Sequence, residues 1–321
     1  MQDSGSQANF DYMRLLDVPQ VDGIHSIPLN DFVGMKGWIN DSIQDTWRKN
    51  YIANRNKIVV TKQSSEARKK CCILVGSSPA IKPQIKTLKN INENFIIISS
   101  NGAYPWLMQN GVEPDYVMLI EGRDHVVGDV SLKSNAKLIV SQFVDPKIYD
   151  IWNGPIETFV CSATGMEDLI KEDGLEVDVA GGNVLNASFL WSYKYLGCRN
   201  YITIGNSLCY YDDYYVDGRS TDHVMKNLKD HEHIKAVDMQ GNVVSTTAPL
   251  LLYKTWLETY SRISGADFIN ATEDGIFGVY PEPVEKTEDN IKFRVKYLPW
   301  ISIAPLSLAI EAYNNKLEDL K

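Results

Sequence analysis

The sequence lacks an excess of basic residues and lacks long hydrophobic runs. Its 321 residues include 32 Lys and Arg against 41 Asp and Glu, which gives a net charge of -9 at pH 7. Proteins that bind nucleic acid without sequence preference need a positive surface, so this class is disfavoured. No apolar run approaches the roughly 20 residues that cross a bilayer, and the polar first ten residues lack the apolar core of a signal peptide. We therefore expect a cytoplasmic protein with neither a membrane span nor a nucleic-acid partner.

Cysteine and histidine are also scarce. The five cysteines contain no Cys-x-x-Cys pair, and three of them (Cys71, Cys72 and Cys198) lie in or beside apolar segments, which predicts buried free thiols in a reducing compartment. His231 and His233 form a His-x-His pair without a nearby third ligand, so we predict solvated side chains and no metal site. His223 is a weak candidate for a general base. The absence of a Gly-x-Ser-x-Gly elbow and of a full Gly-x-Gly-x-x-Gly fingerprint disfavours triad hydrolases and dehydrogenases.

The chain does contain an alternation of apolar strands and helices. The predicted strands are Cys71–Val75, Phe95–Ser99, Tyr116–Ile120, Leu138–Val140, Thr158–Cys161, Tyr201–Ile204 and Asp267–Ile269. The predicted helices are Lys82–Lys89, Tyr104–Asn110, Met166–Lys171, Val184–Leu196, Ala248–Ser261 and a C-terminal helix from about Leu306. This order predicts an α/β fold with a mainly parallel sheet and helices on both faces.

Segments at both ends differ from this pattern. Residues 1–65 are predicted to form a partly helical N-terminal extension, with an amphipathic helix inside residues 31–56. Its apolar residues at helical spacing are expected to pack rather than to catalyse; they are Trp38, Ile39, Ile43 and Trp47. We predict one main domain over residues 66–280 and a strand and helix appendage over residues 281–321.

The stretch from Cys71 to Ala80 is the first candidate for a binding site. Five apolar residues end at Gly76-Ser77-Ser78-Pro79, as expected for a buried strand followed by a loop. In open α/β sheets, ligands bind at the carboxyl ends of the strands. Gly76 would let a ligand approach the backbone, and the two serines offer donors to a phosphate. Gly-x-x-Pro turns are common, so this signal is weak by itself.

Three further strand ends carry polar residues that would meet at the same edge. Ser100 and Asn101 follow the second strand, where a helix cap and a contact to a sugar or base are the two interpretations. Glu121 ends the third strand and is either a ligand for a metal or hydroxyl, or an exposed loop acid. Gly181-Gly182-Asn183 precedes a helix, where free N–H groups favour an anion and a well-capped tight turn is the alternative.

A tyrosine-rich loop, residues 205–215, follows the strand that ends at Ile204. Four tyrosines and two aspartates lie within six residues, which suits a lid that stacks on a base or donates to phosphate oxygens. Buried structural tyrosines are the alternative for any one of them.

In order and spacing, these motifs resemble the MptE-like family, which includes the motility accessory factors that glycosylate flagellin. The resemblance covers about residues 47–278. The matching stretches are residues 73–80 (Ile-Leu-Val-Gly-Ser-Ser-Pro-Ala), 111–116 (Gly-Val-Glu-Pro-Asp-Tyr), 181–184 (Gly-Gly-Asn-Val), 196–205 (Leu-Gly-Cys-Arg-Asn-Tyr-Ile-Thr-Ile-Gly), 241–246 (Gly-Asn-Val-Val-Ser-Thr) and 269–275 (Ile-Asn-Ala-Thr-Glu-Asp-Gly). The resemblance implies a Rossmann-like fold related to sialyltransferases and a nucleotide-dependent transferase.

Two activities are implied by the resemblance. One branch of the family transfers a sialic-acid-like nonulosonic acid from its CMP conjugate to a hydroxyl, and the founding archaeal branch transfers pyrophosphate from ATP to a hydroxymethylpterin. The first activity is our leading hypothesis. It requires no identified cofactor, and its acceptor would be a hydroxyl group of a glycan or a protein. The second would need Mg²⁺. A catalytically inactive binding or structural protein on the same fold is the third hypothesis.

The resemblance also implies roles for individual residues. Tyr210 and Tyr215 would stabilise the leaving phosphate, and Asn270 and Glu273 would complete the pocket. Apart from the resemblance, Glu121, Glu273 and Asp124 are the candidates for the base that takes the acceptor proton. The implied nucleotide, phosphate or sugar contacts are Gly76, Ser77, Ser78, Pro79, Ser100, Asn101, Gly181, Gly182, Asn183, Asn206 and Asn270.

Three positions depart from the family pattern. Glu121 stands where the family usually has Asp. Ser207 stands where an Asp is usual, and Asn242 where sialyltransferases have a histidine base. Because two acidic positions are altered, nucleotide binding is a firmer expectation than turnover.

Overall fold

The computed structural model describes residues 41–163, 165–211, 215–216, 234–286 and 291–318. The chain divides into two compact units. We call the described residues within 41–76 and 85–199 the amino-terminal unit, and those within 77–84 and 200–318 the carboxy-terminal unit. The predictions for Trp38, Ile39 and the three histidines at 223, 231 and 233 lie outside the described residues. The predicted domain boundaries near residues 65 and 280 stay predictions.

The secondary structure follows the predicted alternation. The helices are α1 (Asp41–Asn54), α2 (Ile85–Leu88), α3 (Tyr104–Gln109), α4 (Ile148–Ile151), α5 (Glu167–Glu172), α6 (Val184–Trp191), α7 (Ala248–Ile263) and α8 (Leu306–Glu318). The strands are β1 (Cys71–Val75), β2 (Phe95–Ser100), β3 (Tyr116–Leu119), β4 (Lys137–Ser141), β5 (Ile156–Phe159), β6 (Asn200–Ile204), β7 (Ile234–Val237), β8 (Val243–Thr246), β9 (Asp267–Asn270), β10 (Val279–Lys286), β11 (Ile291–Tyr297) and β12 (Ser302–Ile303).

In the amino-terminal unit, β1 to β5 pair in parallel and in chain order. Every residue of β1 and β2 is buried, which is the pattern of parallel strands covered on both faces. Helix α6 packs on β1, β2 and β3. Each crossover places the next strand beside the last, so the loops after these strands leave from one edge of the sheet.

In the carboxy-terminal unit, β6, β9 and β12 are also parallel. Their register pairs Asn200 with Asp267, and Ser302 with Ile269. Two antiparallel hairpins, β7 with β8 and β10 with β11, complete the described strands of this unit. The predicted α/β fold with a mainly parallel sheet is thus confirmed, whereas neither hairpin was predicted.

The predicted fifth strand was displaced. It was expected at Thr158–Cys161, whereas β5 ends at Phe159. The Cys161 N–H donates to Gln142 Oε1 at 3.1 Å, and Gln142 Nε2 donates back to the Cys161 carbonyl at 2.7 Å. A side-chain amide therefore takes the hydrogen bonds that would have continued the ladder with β4.

Two predicted helices are regular over only part of their length. The predicted helix at residues 82–89 begins as a 3₁₀ turn over Pro79–Gln84, and only Ile85–Leu88 is α-helical. Pro83 has no N–H and cannot take part in a regular α-helical ladder there. The helix predicted over residues 184–196 is α-helical to Trp191 and continues as a π turn to Leu196.

The predicted burial of the cysteines is confirmed, since all five are free and buried. Trp47 of α1 stacks on Phe143 with ring centroids 4.6 Å apart, so its predicted packing role is confirmed. None of the helices in the described part of the chain combines the length and hydrophobicity needed to span a membrane.

Helix α1 is held on α5 by a bidentate ion pair. Arg48 Nη1 and Nη2 donate to the two carboxylate oxygens of Asp168, each at 2.8 Å. The hydrogen bond from Arg48 lowers the pKa of Asp168 to about 2. Because the pKa of Asp168 is lower in the folded protein than in the unfolded chain, the ion pair stabilises the fold at pH values above the ordinary carboxylate pKa. This stabilisation is lost as the pH falls through about 2.

We expect Asp168→Asn to lower the urea midpoint at pH 7, because the ion pair is lost, and to approach the wild type near pH 2, where the wild-type carboxylate is also neutralised. Urea unfolding at a series of pH values between 7 and 2 measures the convergence. Asp150→Asn is the matched control, since the ion pair of Asp150 with Lys57 is long at 3.9 Å. Parallel curves for wild type and Asp168→Asn at all pH values would contradict the assignment.

Candidate functional site

The loops after β6 and β9 meet the Ser77-Ser78 turn within the carboxy-terminal unit. The Ser78 N–H donates to the Gly205 carbonyl at 3.1 Å, and the Ser77 carbonyl accepts from the Val216 N–H at 2.8 Å. The loop after β9 joins them where the Asn206 N–H donates to Thr272 Oγ1 at 3.3 Å. We call residues 77–79, 205–211 and 271–275 the loop site. It lies at the carboxyl ends of parallel strands, where ligands bind in open α/β folds.

A chain of hydroxyl groups crosses the loop site. Ser207 Oγ hydrogen-bonds to the Asp274 carboxylate and lies 2.7 Å from Ser78 Oγ. A hydroxyl has one proton and a carboxylate only accepts, so Ser207 donates to Asp274 and accepts from Ser78. Ser78 Oγ in turn accepts from the Ala80 N–H at 3.3 Å. Both serine hydroxyls therefore donate in the direction of Asp274, so the hydrogen bonds all run from Ser78 through Ser207 to Asp274.

Asp274 ends this chain in a partly buried position. Burial raises its pKa, the nearby charge of Asp238 raises it further, and the hydrogen bond from Ser207 opposes both. Neither Ser207 nor Asp274 was selected as a site residue from the sequence. The stretch 269–275 did point to this loop, but it favoured Glu273.

Asp238, the neighbouring acid, is fully occupied by hydrogen bonds. Its side chain is 1% exposed and accepts from the N–H groups of Gln240 at 3.0 Å and Asn242 at 2.8 Å. The Asn242 side-chain amide and the Tyr211 hydroxyl donate to its other oxygen, each at 3.2 Å. Asn242 therefore acts here as a turn residue that binds Asp238.

Tyr211 links Asp238 to the loop after β9. Its hydroxyl accepts from the Gly275 N–H at 3.0 Å while it donates to Asp238. The tyrosine-rich loop was predicted to contribute to a site, but Tyr211 was not selected. The hydrogen bonds show this tyrosine holding the loop site together.

Asn206 is a buried amide whose side-chain nitrogen is unpaired within the described part of the chain. The residue is 6% exposed, and its Nδ2 has no hydrogen-bond partner among the described residues. A buried polar group left unpaired costs about 1–3 kcal/mol. Asn270, also predicted to contact a ligand, is the opposite case: its Nδ2 donates to the Phe277 carbonyl at 2.9 Å and its Oδ1 accepts from the Thr272 N–H at 3.0 Å. Asn270 thus holds the loop, whereas the Asn206 amide still has a hydrogen bond to give.

Two residues adopt the left-handed backbone conformation beside this chain. Leu208 has φ 55° and Glu273 has φ 65°, and they directly adjoin Ser207 and Asp274. Such conformations in non-glycine residues cost about 1–3 kcal/mol and cluster at functional sites. The exposed Glu273 side chain accepts from Gln84 Nε2, and its carbonyl accepts from Gln240 Nε2 at 2.6 Å. Glu273, a predicted catalytic acid, is thereby tied to two amide side chains.

The two tyrosines predicted to act on the leaving phosphate are both partly buried. The backbone N–H of Tyr210 donates to the Ser245 carbonyl at 2.8 Å. Burial raises the pKa of Tyr210, and a hydrogen bond with the Thr247 side chain partly offsets this. Tyr215 precedes Val216, which is bonded to Ser77. Both tyrosines therefore belong to the carboxy-terminal unit. Tyr210 is part of the loop site, and Tyr215 is next to a residue that is hydrogen-bonded to it.

The remaining predicted residues lie in the amino-terminal unit. Gly76 is buried directly after β1. Asn101 is buried after β2, and its Nδ2 donates to Asp129 Oδ2 at 2.7 Å. Ser100 Oγ accepts from the Ala103 N–H at 3.3 Å, as in the capping alternative.

Glu121, the other predicted catalytic acid, pairs with Arg123. Its Oε2 lies 2.6 Å from Arg123 Nη2, and its Oε1 accepts from the Arg123 N–H at 2.9 Å and from Trp47 Nε1 at 3.4 Å. Burial would raise the pKa of Glu121, but the hydrogen bonds and charge of Arg123 outweigh it, and the pKa is lowered. A carboxylate of lowered pKa is a weak proton acceptor.

The glycine pair before α6 forms a capped turn, the alternative that was weighed against an anion site; the anion contacts stay a prediction. Asn183 Oδ1 accepts from the Asn186 N–H at 2.8 Å, which confirms Asn183 as the N-cap. Gly181 and Gly182 have φ 66° and 83°, a conformation that glycine adopts without steric cost. Among the described residues, no group of three or more His, Cys, Asp or Glu side chains is arranged to hold a metal ion.

Comparison with known proteins agrees with this architecture. The MAf glycosyltransferase from Magnetospirillum magneticum AMB-1 has a similar structure, with a TM-score of 0.58 at 18% sequence identity. The match covers 92% of this chain and 45% of that chain, so this chain spans less than half the length of that protein. No curated protein matches the sequence significantly. A family model described as 6-hydroxymethylpterin diphosphokinase MptE-like matches residues 48–213, and the chain belongs to this MptE-like family.

Proposed function

We propose that this protein is a nucleotide-dependent transferase that moves a sialic-acid-like nonulosonate from its CMP conjugate to a hydroxyl group. The observation that carries the proposal is the side-chain amide of Asn206, unpaired within the described part of the chain. Its buried amide nitrogen, at the carboxyl end of β6, makes no hydrogen bond to the described residues, and the residue directly precedes Ser207 of the Ser78–Ser207–Asp274 chain. Family membership and the likeness to a glycosyltransferase support a transferase.

Such a transfer needs little covalent participation by the protein. Positioning of donor and acceptor and stabilisation of the departing phosphate supply most of the rate. We assign the nucleotide to Ser77, Ser78 and Asn206 of the loop site, with Tyr210 and Tyr215 donating to the leaving phosphate. The acceptor is a glycan or protein hydroxyl. The contacts implied for the amino-terminal unit stay predictions; they are Gly76, Ser100, Asn101, Gly181, Gly182 and Asn183.

A Mg²⁺ site, which the pterin pyrophosphokinase alternative requires, does not fit the residues of the loop site. Glu273 and Asp274 are carboxylates of the loop site, and Asp238 is next to it. Asp238 accepts four hydrogen bonds and the exposed Glu273 accepts from Gln84, so of these three only Asp274 is both partly buried and has an oxygen that no described residue occupies. The alternative is kept as an outcome of the binding experiment.

Calorimetry with CMP, CDP, ATP and 6-hydroxymethylpterin, each with and without Mg²⁺, tests the proposal. We expect CMP to bind without a metal requirement. Binding of ATP only with Mg²⁺ would favour the pyrophosphokinase. No binding of any of these would refute both enzyme functions and leave a binding or structural protein.

Asn206→Leu provides the sharpest single variant for nucleotide binding. Leucine matches the size and branching of asparagine but removes the unpaired amide, so we expect stability to hold while CMP affinity falls about tenfold, the value of one hydrogen bond. Thermal unfolding and calorimetry measure the two effects.

Asn270→Leu is the matched control in the same unit. It removes an amide with several internal partners and is expected to cost at least about 2 kcal/mol of stability. Equal destabilisation by both variants, with unchanged CMP affinity in Asn206→Leu, would show that Asn206 has a structural role.

A further inference from the structure

We propose that Asp274 is the catalytic base of the loop site and takes the proton of the acceptor hydroxyl on its Oδ2 atom. This inference rests on the proposed transfer from a CMP-linked sugar. In that reaction the acceptor oxygen forms a bond to the anomeric carbon, and the bond from this carbon to the phosphate oxygen breaks. The electron pair leaves with CMP, and the acceptor proton passes to Asp274.

The two oxygens of Asp274 differ in a way that suits this role. Oδ1 accepts from Ser207, which fixes the orientation of the carboxylate. Oδ2 has no hydrogen-bond partner among the described residues, and the side chain is only partly buried. One oxygen is therefore held, while no described residue occupies the other, as a positioned general base requires.

The backbone around Asp274 is firmly held. The Ile276 N–H donates to the Ser207 carbonyl at 2.9 Å, and the Met239 N–H donates to the Gly275 carbonyl at 3.0 Å. The residue before Asp274 has the left-handed backbone conformation described above. Asp274 therefore cannot shift without breaking several of these bonds, and such preorganisation favours a catalytic rather than an incidental position.

The other described acids of this unit near the loop site are engaged or exposed. Asp238 accepts four hydrogen bonds. Glu273 is exposed and accepts from an amide side chain. Glu258 is buried and pairs with Lys254 at 2.7 Å. Of these four acids, Asp274 is the one that combines partial burial with an unoccupied oxygen.

The charged and titratable groups that face Asp274 support proton uptake. Asp238 raises the pKa of Asp274 in addition to burial, and the Ser207 hydrogen bond lowers it. Among the described residues, Cys209 and Tyr211 also lie close to it and stay neutral near pH 7: burial raises the pKa of Cys209 to about 12 and that of Tyr211 further. An acidic limb of the pH profile would therefore report Asp274 and not these two neighbours.

The test measures the release of CMP from CMP-N-acetylneuraminate between pH 4.5 and 9, with water as the acceptor, beside calorimetry with CMP. Asp274→Asn keeps the size and an acceptor for Ser207 but has no basic oxygen. We expect it to release CMP about 10²- to 10⁴-fold more slowly, to bind CMP within about twofold of the wild type, and to lose the acidic limb of the profile. Asp267→Asn, the same change at an exposed position of β9, should match the wild type.

Ser207→Ala separates positioning from catalysis. Because the hydrogen bond from Ser207 lowers the pKa of Asp274, its loss should move the acidic limb to higher pH, an effect that simple loss of packing would not produce. An unchanged rate and acidic limb in Asp274→Asn would overturn the base assignment. CMP binding without any CMP release by the wild type would also overturn it and leave the nucleotide site standing. Failure of the wild type to bind CMP would instead overturn the proposed function on which it rests.

Discussion

Replacing Gly275 with alanine is expected to destabilise the carboxy-terminal unit by roughly 2–5 kcal/mol, because strain and overpacking add at this position. A Cβ atom there would overlap the carbonyl oxygen and Cα of Ser207 and lie 2.7 Å from its carbonyl carbon. All three are backbone atoms, so no side-chain rotation relieves the overlap. Gly275 also has φ 87°, which an L-residue adopts only at a cost.

Gly265→Ala is the matched control for this substitution. Gly265 is in the same unit with φ 64°, and none of the described residues has an atom within 4 Å of its added Cβ. It should lose only about 1 kcal/mol, the cost of the left-handed conformation. Thermal or urea unfolding of the two variants separates the overlap from the backbone strain, and equal losses would contradict close packing against Ser207.

The consequence for binding follows from the same contact. Because the backbone of Ser207 must move to accommodate the added methyl group, the bond from Ser207 to Asp274 should be disturbed, and CMP affinity should fall more in Gly275→Ala than in Gly265→Ala. Calorimetry at a temperature where both variants are folded measures this difference. Unchanged affinity in a folded Gly275→Ala variant would place the nucleotide away from Ser207.

The second large effect is expected at Gly122 in the amino-terminal unit. A Cβ there would overlap the Phe143 carbonyl oxygen and lie 2.5 Å from Trp47 Cδ1. Trp47 stacks on Phe143, and Asn50 Nδ2 donates to the Gly122 carbonyl at 2.7 Å and to the Phe143 carbonyl at 3.1 Å. We expect Gly122→Ala to push α1 away and to cost about 1–3 kcal/mol, the usual penalty of overpacking.

Gly128→Ala is the control, since no atom of the described part of the chain lies within 4 Å of its added Cβ. It should leave unfolding within about 0.5 kcal/mol of the wild type, as is usual at exposed sites. Tryptophan fluorescence together with urea unfolding reports the release of Trp47. A folded Gly122→Ala variant with wild-type stability would mean that the loop after β3 can shift at little cost and does not hold α1 in position.

The features that the sequence predicted well depend on neighbouring residues. The run Cys71–Val75 is apolar and ends at Gly76, and β1 has these bounds. Asn183 caps α6 because its side chain reaches an N–H three residues later. Family membership could be predicted for the same reason, because short stretches of neighbouring residues, in a fixed order along the sequence, identify the family.

Other positions could not be predicted, because a contact from elsewhere in the chain competes with the local pattern. Cys161 belongs to an apolar run, yet Gln142 takes its backbone hydrogen bonds, and β5 ends earlier. Glu273 and Asp274 are adjacent acids in one loop, and no local signal shows that the first is bound by Gln84 and the second by Ser207.

By itself, the sequence determined the mainly parallel α/β fold, the bounds of β1 and the candidate loops, because burial and backbone geometry are encoded in local patterns of apolar residues, Gly and Pro. Only the tertiary structure decided which polar side chains meet. Ser78 and Ser207 are 129 positions apart, and Ser207 and Asp274 are 67 apart. Ser207 stands where an acid was expected, and the carboxylate of Asp274, from another loop, is hydrogen-bonded to it. Such a contact depends on proximity in space and not on proximity along the chain.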